Sequence, residues 1–213
     1  QLSGLILDWG GVLNSDLDSS MAAWADAEDV DLAQFASVMR EWLGQEGQIE
    51  SWVNPVHALE RGEMEVPDFE HHLAAGLSKK VGKQIAPDGL LKRLFAHFSH
   101  AHDMTGLVRR AKSAGIRTAL LSNSWGNTYP DHLFDGMFDV VVISGEVGMR
   151  KPEERIFRYT LDKLGLPASD CAFVDDLKHN VDAADSFGLV GIHHLSYEQT
   201  ALEIDALFAA DLS

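Results

Sequence analysis

The chain has 213 residues, 46% of them hydrophobic, and its 33 acidic side chains outnumber 17 basic ones for a formal charge of −16. That length suits one sizeable domain, or a core domain with an insertion, and the charge argues against nucleic-acid and anionic-membrane surfaces because no segregated basic face is visible. No apolar run approaches the roughly 20 residues of a membrane helix and no basic region with an apolar stretch and cleavage site opens the sequence, so the expectation is a cytoplasmic protein, monomer or homodimer, with no nucleic-acid or membrane partner.

Residues 4–8, Gly-Leu-Ile-Leu-Asp, form an apolar run that ends in an acid and meets Trp9-Gly10-Gly11, the pattern of a buried strand entering a tight turn. From Asn14 to His102 no comparable β-branched run occurs. Trp24, Phe35, Met39, Trp42 and Leu43 lie at helical spacing, Phe69, Leu73 and Leu77 repeat every fourth residue, and Pro55, Pro67 and Pro87 stand where helices start or part. This stretch reads as an all-helical insertion. Strand-like runs resume at 117–122, 140–144, 171–174 and 189–193, separated by helical patterns at 105–114, 152–165 and 180–187. The alternation predicts an α/β fold, a Rossmann-like parallel sheet covered by helices on both faces. The expected division is a core of residues 1–13 and 103–213 with a helical cap of residues 14–102. Cys171 is the single cysteine and lies in an apolar run, so a buried, inert thiol is expected.

Ligands of an open parallel sheet bind beyond the carboxyl ends of its strands. The residues there are Asp8, Ser122 with Asn123, and Asp175 with Asp176, while Lys151 follows the third strand by a short loop. Each residue type has a task in phosphoryl transfer. Asp8 can attack phosphorus and split hydrolysis into two steps. Mg2+ is the usual means of bringing two anions together, with Asp8, the Gly10 carbonyl and Asp176 as protein ligands and Asp175 and Asn180 orienting them. Lys151 would neutralise charge, the Ser122 hydroxyl and Asn123 N–H would hold phosphoryl oxygens, and Gly10 and Gly11 let the backbone approach phosphate closely. Taken alone, each has an ordinary reading: an aspartate at a strand end is usually a turn or cap residue, and a serine there can merely cap a helix.

The order Asp8-Trp9-Gly10-Gly11-Val12-Leu13, Leu120-Leu121-Ser122-Asn123, Ser144 to Glu153 around Lys151, and Phe173-Val174-Asp175-Asp176 resembles the four motifs of the haloacid dehalogenase superfamily. Residues 145–157 and 173–188 are most similar to the branch with glucose-1-phosphate phosphatases and the phosphatase domain of soluble epoxide hydrolase. The resemblance implies an Mg2+-dependent phosphatase with Asp8 as nucleophile, acting on a small phosphorylated metabolite such as a sugar phosphate under a helical cap that excludes water and selects the leaving group.

The pattern departs from the family at Gly10, where its phosphatases usually carry a second aspartate as general acid and base. The loss of such a group costs roughly 10²–10⁴-fold in rate. Asp16, His57 and His179 are the candidate replacements. Phosphonoacetaldehyde hydrolases resemble the Asp-Trp-small-Gly motif but need a cap lysine early in the insertion, and the first lysine here is Lys79. The 2-haloacid dehalogenases typically lack the acid pair seen at Asp175-Asp176. A non-catalytic binding or regulatory protein with this fold is the alternative from another class. His97, His100 and His102 suggest zinc, but their spacing does not place all three on one helical face and no cysteine accompanies them. His71 and His72 point apart on any helix. Trp24, Phe35 and Trp42 read as cap core, whereas Trp9 and Trp125 flank motifs and are the aromatic candidates for substrate contact. Leu59-Glu60-Arg61-Gly62-Glu63 resembles a segment common in the caps of this branch, with a structural role.

Overall fold

A computed structural model describes residues 1–43, 54–126 and 129–213. Five strands, β1 (Gly4–Leu7), β4 (Arg117–Ser122), β5 (Val140–Ile143), β6 (Cys171–Asp175) and β7 (Val190–His193), form one sheet in the order β5-β4-β1-β6-β7. Every pairing in it is parallel. This is the Rossmann-like architecture expected from the alternating pattern.

The period-two geometry of a strand sends successive side chains to opposite faces, and the core divides accordingly. Leu5, Leu7, Leu120, Ala172 and Val174 pack on one face with residues of α6 (His102–Ser113) and α11 (Tyr197–Phe208). Ile6, Ala119, Leu121, Cys171 and Phe173 pack on the other with α9 (Glu154–Leu164) and Ala184 of α10 (Lys178–Ser186). Cys171 is buried, and burial pushes its thiol up to about 11, which makes it the inert group expected.

The insertion contains α1 (Leu17–Glu28), α2 (Leu32–Leu43), α3 (Pro55–Glu60), α4 (Val66–Val81) and α5 (Leu90–Phe95), packed around their own cluster of Trp24, Phe69, Leu73, Leu77 and Leu90. Pro55 opens α3 and Pro67 lies in the first turn of α4, where a missing N–H costs nothing. The side chain of Leu43 lies outside the described residues, as does the stretch 44–53 of the expected cap.

Four features differ from the sequence reading. The segment expected to be only helical also contains a two-stranded antiparallel ladder, β2 (Asn14–Ser15) with β3 (Ser99–His100), too short for any periodic signal. It ties together the two places where the chain leaves and rejoins the sheet. The loop expected before Lys151 starts with a helical turn, α8 (Ser144–Val147), so Ser144 begins a helix instead of ending a strand. A short helix, α7 (Asp131–Phe134), and the long C-terminal α11 were also unanticipated. No described helix is long and apolar enough to cross a membrane.

Candidate active site

The sheet order places β1 between β4 and β6, so the carboxyl ends of these three neighbouring strands converge. Asp8 directly follows β1 and is held in line by its N–H, which donates to the Val174 carbonyl at 3.0 Å. The chain then turns sharply, with the Val12 and Leu13 N–H groups donating to the Trp9 carbonyl at 3.3 and 2.8 Å. Gly11 makes the turn possible at φ +76°, and a Cβ there would stand 2.2 Å from Asp176 Oδ2. Only glycine lets the turn and the acid share this space.

Lys151 is 1% exposed and its ammonium bridges two carboxylates, at 2.9 Å from Asp8 Oδ1 and 2.8 Å from Asp175 Oδ2. Asn123 sets the lysine backbone: its Oδ1 accepts from the Lys151 N–H at 2.9 Å, and its Nδ2 donates to the Lys151 carbonyl at 3.1 Å. Asn180 donates to Asp175 Oδ2 at 3.2 Å, and the Leu177 N–H donates to Asp175 Oδ1 at 2.9 Å. Carboxylate oxygens of Asp8, Asp175 and Asp176 all lie within 4.8 Å of one another.

Three carboxylates face one ammonium, and the electrostatics follow from that imbalance. Burial, then Asp175, push Asp8 up to about 8 against the pull of Lys151. Burial and Asp175 likewise push Asp176 up to about 6. Burial opposes charge on Lys151, but Asp175 and Asp8 outweigh it and hold the ammonium protonated above its ordinary range. A cluster of hard oxygen donors short of positive charge suits a divalent cation of the Mg2+ type. No other group of three or more potential metal ligands occurs among the described residues, so His97, His100 and His102 form no such centre.

Of the expected phosphate-holding groups, Ser122 lies 2% exposed at the end of β4 with its hydroxyl 2.8 Å from that of Tyr129. Tyr129 carries no sequence signal for this role, because it comes from a loop of no readable period. Its ring also meets Trp9 edge-on, with centroids 5.2 Å apart. Trp9 is buried in the apolar core, with its ring near those of Tyr129 and Phe98. Trp125 is partly buried against Phe69 of α4, at the junction of the two units.

The three candidate acids fare differently. Asp16 is exposed with φ 49°, and caps α1 by accepting from the Ser19 N–H at 3.3 Å. His57 is driven down to about 4 by burial and by Arg150 and Arg61, which favours the neutral imidazole over the imidazolium at pH 7. His179 is exposed on α10. His71 and His72 are exposed on α4.

Residues 60–62 contact the segment carrying Lys151. Glu60 and Arg150 pair at 3.3 Å, Arg61 and Glu153 at 3.1 Å, and a Cβ on Gly62 would stand 2.5 Å from the Gly145 carbonyl. The two pairs cross between α3 and the segment carrying Lys151.

The haloacid dehalogenase-like hydrolase family matches residues 2–188, and the chain belongs to that family. A sesquiterpene phosphatase of Aspergillus oryzae is 28% identical over 153 residues, covering 70% of this chain and 76% of the fungal protein. Bifunctional epoxide hydrolase 2 of Rattus norvegicus is 28% identical over 127 residues, covering 54% of this chain but only 23% of its own length. An enzyme of the same family from Bacteroides thetaiotaomicron, solved with magnesium and inorganic phosphate, superposes with a TM-score of 0.62 at 20% identity, over 90% of this chain and 93% of that one. At that identity the likeness is one of fold.

Proposed function

We propose that this hydrolase removes phosphate from a small phosphorylated metabolite through an aspartyl-phosphate intermediate on Asp8, with Mg2+ as cofactor. The observation that carries this reading is the triad of carboxylates within 4.8 Å of one another, with Lys151 bridging two of them. Displacement at carbon needs a nucleophile but no second and third acid; attack on a phosphate dianion needs a cation between the anions. The phosphatase among the relatives supports the same chemistry.

Asp8, Asp176 and the Gly10 carbonyl would hold Mg2+, which supplies charge neutralisation between carboxylate and phosphate when bound. An Asp8 oxygen attacks phosphorus, forming one P–O bond as the ester P–O bond breaks. The leaving oxygen takes its proton from solvent, since Gly10 offers none. Water then attacks phosphorus, the bond to Asp8 breaks, and orthophosphate and the free carboxylate remain while a proton returns to solvent. Lys151 holds Asp8 oriented and offsets charge as the bond forms. Ser122 and the Asn123 N–H hold phosphoryl oxygens. Residues 14–102 act as the cap, docked through Glu60, Arg61 and Gly62. A sugar phosphate is the first candidate substrate.

The test is turnover of p-nitrophenyl phosphate, phosphorylated sugars, a phosphonate and a 2-haloacid, each with Mg2+ and with EDTA. Mg2+-dependent phosphate release supports the reading. Halide release insensitive to EDTA, phosphonate cleavage alone, or no turnover with Mg2+ bound would replace it with the dehalogenase, phosphonatase and non-catalytic readings respectively.

A further inference from the structure

Asn14 is 7% exposed, and neither its Nδ2 nor its Oδ1 has a hydrogen-bonding partner. An amide buried with both ends unmet lowers stability, and native proteins leave few such groups. Its position is not loose. Asn14 pairs with His100 in the β2–β3 ladder, and the neighbouring Leu13 carbonyl accepts from the Ala101 N–H at 2.8 Å, so the backbone is fixed from both sides.

The side chain lies against Gly10. A Cβ built on Gly10 meets nothing nearer than Asn14 Oδ1, at 4.0 Å. The unmet amide therefore borders the space left by the side chain that Gly10 lacks, one residue from the turn over Asp8 and Asp176. Beside it a cavity of about 300 Å³ opens, its wall including Gly11, Asn14, Asp103, His194 and Tyr197. That wall is polar, and the volume is at the lower end of small-ligand sites.

We propose that Asn14 is a specificity-determining residue that binds the leaving group of the substrate, and that the group it recognises is a hydroxyl close to the ester oxygen. This rests on the phosphatase reading above. A hydroxyl both donates and accepts, so one such group, or two on neighbouring carbons, satisfies Oδ1 and Nδ2 together. An aryl or prenyl leaving group satisfies neither. The favoured substrate class is thus a polyol or sugar phosphate, and the amide takes over the positioning, but not the proton transfer, of an acid at position 10.

The test compares kcat/KM for glycerol 2-phosphate, whose ester carbon is flanked by hydroxyl-bearing carbons, with that for p-nitrophenyl phosphate, in wild type, Asn14→Leu and Asn14→Asp, with thermal unfolding of each. The ratio of the two kcat/KM values falls about tenfold or more in Asn14→Leu, the size expected for losing a hydrogen bond to a substrate hydroxyl. Asn14→Asp, which still accepts, retains more of the ratio than Asn14→Leu. The unfolding temperature of Asn14→Leu is equal to or above that of wild type, because two unmet polar atoms are gone. An unchanged ratio in Asn14→Leu, whatever the absolute rates, overturns the assignment, as does a wild type that cleaves p-nitrophenyl phosphate and no hydroxyl-bearing phosphate. A wild type inactive on both phosphates with Mg2+ present overturns the phosphatase reading itself, and this assignment with it.

Discussion

Replacing Asp8 by Asn should abolish phosphate release and at the same time stabilise the metal-free fold at pH 8. The carboxyl moves from 3.8 to about 8 on folding because burial and Asp175 oppose its charge. A shift of about 4 units at ~1.36 kcal/mol per unit sets a ceiling of roughly 6 kcal/mol on the cost of ionising it in the folded chain. Water entering at the cleft and relaxation of the pair with Lys151 reduce this, and about 1–3 kcal/mol is the expected gain. For a chain of this size that is about 3–10 °C in unfolding temperature. The sign of the pH dependence follows from the raised folded-state value. The penalty is absent below about 3.8, where Asp8 is protonated in both states, and grows as pH rises towards 8. Thermal unfolding in EDTA should therefore show a gap between Asp8→Asn and wild type that narrows from pH 8 to pH 5. Adding Mg2+ should raise wild type more than the variant, because the ion binds the folded carboxylates. A variant less stable than wild type at pH 8, or a gap independent of pH, would refute the reasoning.

Lys151→Met should eliminate turnover and cost about 3–5 kcal/mol in urea unfolding, since it leaves Asp8 and Asp175 buried without their shared cation; a loss below 1 kcal/mol would show that the pairs are not buried in solution. Gly10→Asp has room at its Cβ, which would meet only Asn14 Oδ1 at 4.0 Å outside its chain neighbours, and should raise kcat on alkyl phosphates at least tenfold, part of the roughly 10²–10⁴-fold a general acid supplies. A fall in kcat would mean that proton transfer is already provided elsewhere. Glu60→Gln removes the carboxylate that faces Arg150 and should cost about 2–4 kcal/mol while lowering kcat/KM. Stability unchanged in that variant would show that the crossed pairs do not hold the two units together.

The sheet was legible because its strands are short, apolar and continuous, as burial on both faces demands, and because glycine and the acids punctuate their carboxyl ends. Asp8, Ser122, Asn123, Lys151, Asp175 and Asp176 could be grouped for the same reason: strand ends converge whatever the lengths of the intervening helices. What the sequence could not reveal depends on contacts distant along the chain. The Asn123 side chain clamping the Lys151 backbone spans 28 residues, and the Arg61–Glu153 pair spans 92. The burial of Trp9 was not legible either, because proximity to a motif does not fix the direction of a side chain. His57 illustrates the same limit: burial lowers it most, and the arginines that add to this come from its own helix end and from the segment carrying Lys151. The β2–β3 ladder, two residues on each strand, lies below the length at which periodicity carries information.

The central claim is a covalent bond between Asp8 and phosphorus. Incubating the protein with Mg2+ and p-nitrophenyl phosphate, quenching in acid and reducing with borohydride converts an acyl phosphate to the corresponding alcohol, and peptide mass spectrometry locates the change. The expected result is conversion of residue 8 to homoserine, absent in Asp8→Asn and absent with EDTA. Phosphate release at the same rate with residue 8 unmodified, or modification at another carboxylate, would contradict it.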